Sequence, residues 1–140
     1  MRYLYDADAS IDYLQDVTDA RTTFERLLPD GIACSVVTQI ELYTGVYTSS
    51  DPKAAERQLK AFMAVVTTLP LNQKVVRQAA RLRSDLVARR LSFRSRAYDL
   101  IVAATGLAYQ LTVITSNTDD YRVFPGLATL DPRTGVRQSH

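Results

Sequence analysis

The chain has 140 residues, of which 46% are hydrophobic and 23% charged, with five Gly, five Pro and a net charge of +2. That balance excludes wholly disordered, collagen-like and linker-like chains, and it suffices for a single domain over residues 1–140 with a core of its own. A lone cysteine, Cys34, and a lone histidine, His140, exclude a disulfide framework, a Ser-His-Asp triad, a Cys-His pair, a two-histidine ribonuclease and a His-rich zinc site, which leaves any acid–base or metal chemistry to carboxylates.

From the N-terminus, RYLYD (2–6) reads as a short buried strand that ends in a carboxylate, and Ala9 to Gln15 as a short helix. Asp6, Asp8 and Asp12 do not fit the apolar core of a secretory signal, so a cytoplasmic protein is expected. Thr18 or Asp19 is placed to cap a second helix with Ala20, Phe24, Leu27 and Leu28 on one face. Pro29-Asp30-Gly31 marks a turn before a second strand, IACS (32–35), in which Cys34 reads as a buried core thiol. Ser35 is expected to cap a helix running to about Tyr47, with Val36, Ile40, Tyr43 and Tyr47 at helical spacing. Pro52 suits the first turn of the next helix, whose apolar stripe is Ala55, Leu59, Phe62 and Met63. VVTTL (65–69) is β-branched and short, hence a third strand.

Asn72 is expected to cap a long helix with Val75, Ala79, Leu82 and Leu86 inward and Arg77, Arg81, Arg89 and Arg90 outward. Asp99 opens the helix DLIVAATGLAY, which is apolar nearly all round and so buried, with Gly106 a signal of close packing. LTVIT (111–115) is a fourth strand and ATL (128–130) a fifth. The uncharged run Leu100 to Thr118 is long enough to raise a membrane span. Its Gly106, Gln110, Ser116 and Asn117 fit a buried helix followed by a buried strand instead, and no membrane association is expected. Strands alternating with helices predict an α/β sandwich around a mostly parallel sheet of four to five strands flanked by helices.

Charge is unevenly spread. Residues 1–30 hold seven acids against three bases, and residues 51–100 hold eleven bases against four acids. An acidic first segment and a basic middle fit either a polyanion drawn toward a carboxylate site or a set of solvated helix faces.

Several acids stand in unusual places. Asp6 ends the first strand, where ligands of parallel α/β sheets gather, and Asp8 lies two residues on. Glu41 is the only charged residue between Gly31 and Ser50, so it is paired from afar, holds a cation, or serves a Thr38-Gln39-Ile40-Glu41 capping box. Asp99 opens a buried helix, where a first-turn acid is also ordinary. Asp119 and Asp120 follow the fourth strand in TSNTDDY, in a stretch that also reads as a solvated turn. Clustered, such acids would repel one another unless they held a divalent cation, and an all-oxygen set suits Mg²⁺ or Mn²⁺.

The stretches YLYDADASIDYL, SVVTQIELYTGV, RAYDLIVAATGLAYQLTVITSNTDDY and the closing FPGL resemble the landmarks of PIN-domain ribonucleases, most of all the VapC toxins of bacterial toxin–antitoxin pairs. The resemblance implies a PIN-like three-layer sandwich. It implies that Asp6, Glu41, Asp99 and Asp120 hold one or two Mg²⁺ or Mn²⁺ ions, with Thr115 and Asn117 in support and Asp119 competing with Asp120 for the fourth place. It also implies an endoribonuclease acting on structured RNA such as tRNA or rRNA, a homodimer, and a cognate VapB-like antitoxin. Ala7 replaces the usual hydroxyl residue after the first aspartate, and Asp8 stands where Asn or Ser is usual, so Asp8 adds a ligand or a charge. Arg94 and Arg96, just before Asp99, are candidates to clamp RNA phosphates. Two other readings remain open. One is a non-catalytic PIN-like module that binds RNA or a partner. The other is a haloacid dehalogenase-like phosphatase, whose opening YDADAS matches but whose late lysine is missing, since Lys74 is the last one.

Overall fold

The computed structural model describes residues 1–140. Its strands are β1 (Tyr3–Tyr5), β2 (Ile32–Ser35), β3 (Thr67–Leu69), β4 (Thr112–Ile114), β5 (Ala128–Leu130) and β6 (Arg137–Ser139). Its helices are α1 (Ala7–Leu14), α2 (Ala20–Leu27), α3 (Val36–Tyr47), α4 (Pro52–Val65), α5 (Gln73–Ala88) and α6 (Ala97–Tyr109). The sheet order is β3-β2-β1-β4-β5-β6, parallel throughout except for the last pair. The sheet has one strand more than expected. Arg137–Ser139 is polar and gives no strand signal, but it pairs antiparallel with the β5 edge.

Alternation along three-residue strands divides the core between two faces. Leu4, Ala33 and Val113 point toward α5 and α6, where Val75, Leu82, Leu86, Leu100 and Val102 meet them. Tyr5, Cys34 and Ile114 point the other way, toward Phe24, Leu42, Leu59 and Phe62 from α2, α3 and α4. Each such fully buried side chain contributes about 1.5–3 kcal/mol relative to exposure. No helix is long and apolar enough to cross a membrane.

Most caps follow the sequence. The Ser35 hydroxyl accepts the Thr38 N–H at 3.2 Å and the Asn72 carbonyl oxygen accepts the Val75 N–H at 3.1 Å. Asp51, ahead of Pro52, accepts the Ala54 N–H. Three local expectations fail. Asp19 precedes α2 in a left-handed conformation (φ 66°), and no side chain caps that helix. Val65 ends α4 instead of starting β3. In α3, Val37, Thr38, Leu42 and Val46 are buried, whereas Ile40 and Tyr47 of the expected face are 53% and 73% exposed. This helix is apolar on two sides, so spacing alone does not choose the inward one. Because Ser35 is its cap, the Thr38–Glu41 capping box is absent as well.

Equal register at β1, β2 and β4 brings three strand ends level, with Tyr5 opposite both Cys34 and Ile114. Asp6, Ser35 and Thr115 therefore follow at one edge of the sheet. The height of α6 against that edge depends on Gly106, where an added Cβ would come within 3.1 Å of Val113 Cγ2 and 3.2 Å of Leu127 Cδ1. Both neighbours are fully buried. Gly106→Val is expected to destabilise the chain by roughly 1–3 kcal/mol through overpacking. Urea denaturation of the variant beside wild type checks it, and unchanged stability would show that α6 has room to shift.

Candidate active site

Asp6 lies at the end of β1 and is the N-cap of α1. One carboxylate oxygen accepts the Ala9 N–H at 2.9 Å, and the Ser10 hydroxyl donates to the Asp6 carbonyl at 2.7 Å. The other oxygen, Oδ2, accepts the Tyr121 hydroxyl at 3.3 Å. The side chain is only 5% exposed. Strand geometry and helix capping thus fix this carboxylate together, deep in the edge of the sheet.

The other acids approach from neighbouring elements. Asp8 sits in the first turn of α1 and accepts a hydrogen bond from the Asn117 side-chain amide. The Asn117 N–H is in turn held by the Thr115 hydroxyl at 3.0 Å. Asp99 is half-buried in the first turn of α6 but is not its N-cap, which is Arg96. Glu41 comes from the middle of α3, partly buried. Asp120 is exposed in the 3-10 turn over Thr118–Tyr121 that follows β4.

None of Asp6, Asp8, Glu41, Asp99 and Asp120 belongs to an ion pair. Asp119, by contrast, pairs with Arg122 at 2.8 Å. Of the two adjacent aspartates, Asp120 is therefore the one left with its charge uncompensated.

The electrostatics show that these acids sense one another. Burial pushes the Asp6 carboxyl up to about 7, opposed by the Ala9 N–H and Thr115 and reinforced by Asp8 and Asp99. Burial also raises Asp99, to about 6, with the charges of Asp120 and Asp8 adding to the effect and Tyr121 and Arg96 opposing it. Glu41 is raised by burial and then by Asp8 and Asp99. Residues far apart in sequence thus share one field of uncompensated negative charge.

That donor set is all oxygen, which fits a hard divalent cation such as Mg²⁺ or Mn²⁺ and does not fit zinc or copper. With the side chains as they stand, no three of them converge on a single ligating point. The acids are gathered along an edge and not closed into a cage. Asp99 and Asp120 line a cleft of ≈ 320 Å³ with Ser95, Arg96, Asp119 and Val123. Glu41 faces a neighbouring groove of ≈ 270 Å³ between α1, α3 and α4. Arg96 reaches the cleft while its guanidinium donates to the Ser92 carbonyl at 2.7 Å. Arg94 is exposed in the same turn and does not line the cleft.

Sequence reasoning missed Tyr121 and Ser10. Tyr121 is the aromatic residue after Asp120, where only a ring was expected and the hydroxyl carried no signal.

Residues 3–125 match the model of the PIN domain family. The chain is 34% identical over 109 residues to Ribonuclease VapC5 of Mycobacterium tuberculosis (strain ATCC 25618 / H37Rv), covering 76% of this chain and 78% of that protein. Among solved structures it resembles DNA-bound VapBC from Salmonella typhimurium, with a TM-score of 0.86 and 19% identity over 94% of this chain and 98% of that one. It also resembles VapBC-5 from Mycobacterium tuberculosis, with a TM-score of 0.61 and 30% identity over 86% and 87% of the two chains.

The raised carboxyls carry a stability consequence. In the folded chain Asp6 and Asp99 bind protons more tightly than in the unfolded chain, so stability is highest near pH 4 and falls as pH rises toward about 7. In EDTA, the melting temperature of wild type should decline across that window. Asp6→Asn, which preserves a capping oxygen, should decline less and melt several degrees higher at pH 7.5. Parallel melting profiles for the two proteins would show that Asp6 is not the source.

Proposed function

The chain belongs to the PIN-domain family, and on that premise we propose that it is a Mg²⁺- or Mn²⁺-dependent endoribonuclease, the toxin of a VapB-like antitoxin. The observation that carries the reading is the group of acids from four elements at one edge of the sheet, none of them in an ion pair, with Arg96 the one cation that lines their cleft. The Ribonuclease VapC5 relative and the VapBC structures support it.

Asp6 and Asp99 are the deep ligands in this reading, Glu41 and Asp120 the flanking ones, and Asp8 a further negative charge at the mouth. A divalent ion, when bound, supplies the charge that acidifies a water and polarises a phosphodiester for in-line hydrolysis. The chain's own residues do the rest. The Ala9 N–H, Thr115 and Asn117 aim the carboxylates. Without a cation their combined charge repels an RNA backbone, so metal loading and RNA entry are coupled. Arg96, at the cleft, and Arg94, beside it, are placed to hold phosphates against that repulsion. The exposed arginines Arg77 and Arg81 of α5, with Arg90 in the turn just beyond it, add further basic surface. A structured RNA, tRNA or rRNA, is the proposed substrate, and a cytoplasmic homodimer the proposed form. Each phosphate neutralised should cost about 0.7 log units of affinity per log unit of salt for single strands.

The test is antitoxin-free protein incubated with total RNA plus Mn²⁺ or EDTA. Discrete cleavage with Mn²⁺ and none with EDTA is expected. Asp6→Asn and Asp99→Asn should lose about a hundredfold or more in rate while keeping the wild-type circular dichroism spectrum, since a ligand's share of metal catalysis is several kcal/mol. Equal cleavage by folded Asp99→Asn removes that residue from the mechanism. No cleavage with any divalent metal would leave a binding module in place of an enzyme.

A further inference from the structure

Arg133 lies in the turn between β5 and β6, and its guanidinium is committed in two directions. Nε donates to Asp131 Oδ1 at 3.2 Å and Nη2 to Asp131 Oδ2 at 3.0 Å, while the Arg133 backbone N–H donates to the same Oδ1 at 2.9 Å. Asp131 is 8% exposed, and these bonds satisfy its carboxylate. The second direction is the one that needs an explanation. Nη2 also donates to the Ser116 carbonyl at 2.7 Å, in a residue 17 positions earlier and outside the hairpin. An ion pair that served the turn alone would need no such contact.

Ser116 stands between the two residues that lead to Asp8. The Thr115 hydroxyl accepts the Asn117 N–H at 3.0 Å, and the Asn117 side-chain amide donates to Asp8 Oδ2. The Thr115 N–H donates to the Leu130 carbonyl at 3.1 Å, so this segment leaves the sheet directly beside the strand that leads to Arg133. The hairpin is in turn tied to α2, where the Thr23 hydroxyl donates to the Pro132 carbonyl at 3.3 Å.

We propose that Arg133 is a positioning residue of the acidic edge: locked by Asp131, its guanidinium holds the Ser116 carbonyl and so fixes the turn from which Asn117 orients the Asp8 carboxylate. The inference rests on the reading above only in taking this edge as the site where RNA is cut. Arginine suits the task, because its planar fork grips a carboxylate with two N–H groups and keeps others free for a carbonyl. A long side chain loose in solvent would lose rotamer freedom on making one bond to Ser116. Here the buried Asp131 has already fixed the guanidinium, so that bond adds little further ordering. The same anchor takes up the positive charge. Arg133 forms its ion pair with Asp131 and none with Asp8, so it orders the segment that reaches Asp8 through a backbone carbonyl and not by pairing with the acid itself.

The experiment is nuclear magnetic resonance of nitrogen-labelled, antitoxin-free protein in the absence of metal, following the Asn117 side-chain amide. Arg133→Met alone would leave Asp131 buried without its cation and invite misfolding. The double variant Asp131→Asn/Arg133→Met removes both charges, and the asparagine oxygen still accepts the backbone N–H of the turn. Asp8→Ala breaks the Asn117 bond directly and marks where the released amide resonates. In the double variant the Asn117 signals should move toward that position. An ion pair that served only the hairpin would move the signals of β5, β6 and their turn and leave Asn117 alone. Asn117 signals at the wild-type position in the folded double variant overturn the proposal. RNA cleavage with Mn²⁺, followed in parallel, should fall in kcat by up to about tenfold, the scale of one hydrogen bond to a charged group. An unchanged kcat in a variant whose Asn117 has moved overturns the positioning role as well. Wild-type protein that cleaves no RNA sinks the nuclease reading, and the Asn117 signals alone then decide whether Arg133 sets the turn.

Discussion

A carboxylate buried without a cation is the constraint around which this molecule is organised. Asp6 is buried, its carboxyl is held up to about 7, and no lysine or arginine pairs with it. Such a group destabilises a fold by itself. The chain tolerates it because the surrounding groups are arranged to hold it: the α1 N-terminus from one side, a tyrosine hydroxyl from another, and level strand ends beneath. The uncompensated charge fits a role that lies outside packing.

The same arrangement accounts for part of the charge segregation along the sequence. Asp6 and Asp8 meet the acids of the turn after β4 at the carboxyl edge of the sheet, whereas Asp16 and Asp30 pair with Arg21 and Arg2, and α5 carries arginines on its outer face. Arg96 lines the cleft and its charge acts on Asp99, but the other arginines near the site are engaged elsewhere. Arg122 binds Asp119, Arg133 binds Asp131 and the Ser116 carbonyl, and Arg89 binds Asp85. The Arg122 and Arg89 pairs are exposed and contribute little to stability, about 0–1 kcal/mol each, whereas Asp131 is buried. Their effect is to keep guanidinium groups off the acids.

Much of this was legible in the sequence wherever one strong local signal was unopposed. Strand β2, the Ser35 and Asn72 caps and the buried α6 follow from a capping residue next to an apolar run, and tertiary contacts reinforce each of them. The failures occur where two local choices are nearly equal. Helix α3 offers apolar residues on both sides, and the inward side is selected by α4 and the sheet, not by spacing. Strand β6 has no apolar pattern; it forms because β5 presents an unpaired edge. Asp119 and Asp120 are equivalent in the sequence pattern, and the pairing of Asp119 with Arg122 depends on the shape of a 3-10 turn. The Tyr121 hydroxyl could not be read at all, since a buried ring satisfies the sequence pattern whether or not an oxygen is attached.

What separates this edge from an ordinary polar surface is the kind of group that touches each acid. Asp6 is met by a backbone N–H, a threonine and a tyrosine, and Asp8 by an asparagine amide. All are neutral donors. They orient a carboxylate without pairing it with a cation, so the mutual influence of the acids survives folding. Guanidinium donors in the same positions would give stronger hydrogen bonds and a more stable apoprotein, but they would also satisfy the acids permanently. The support at this site therefore trades stability for an unmet charge, which is the condition the proposed cation role requires.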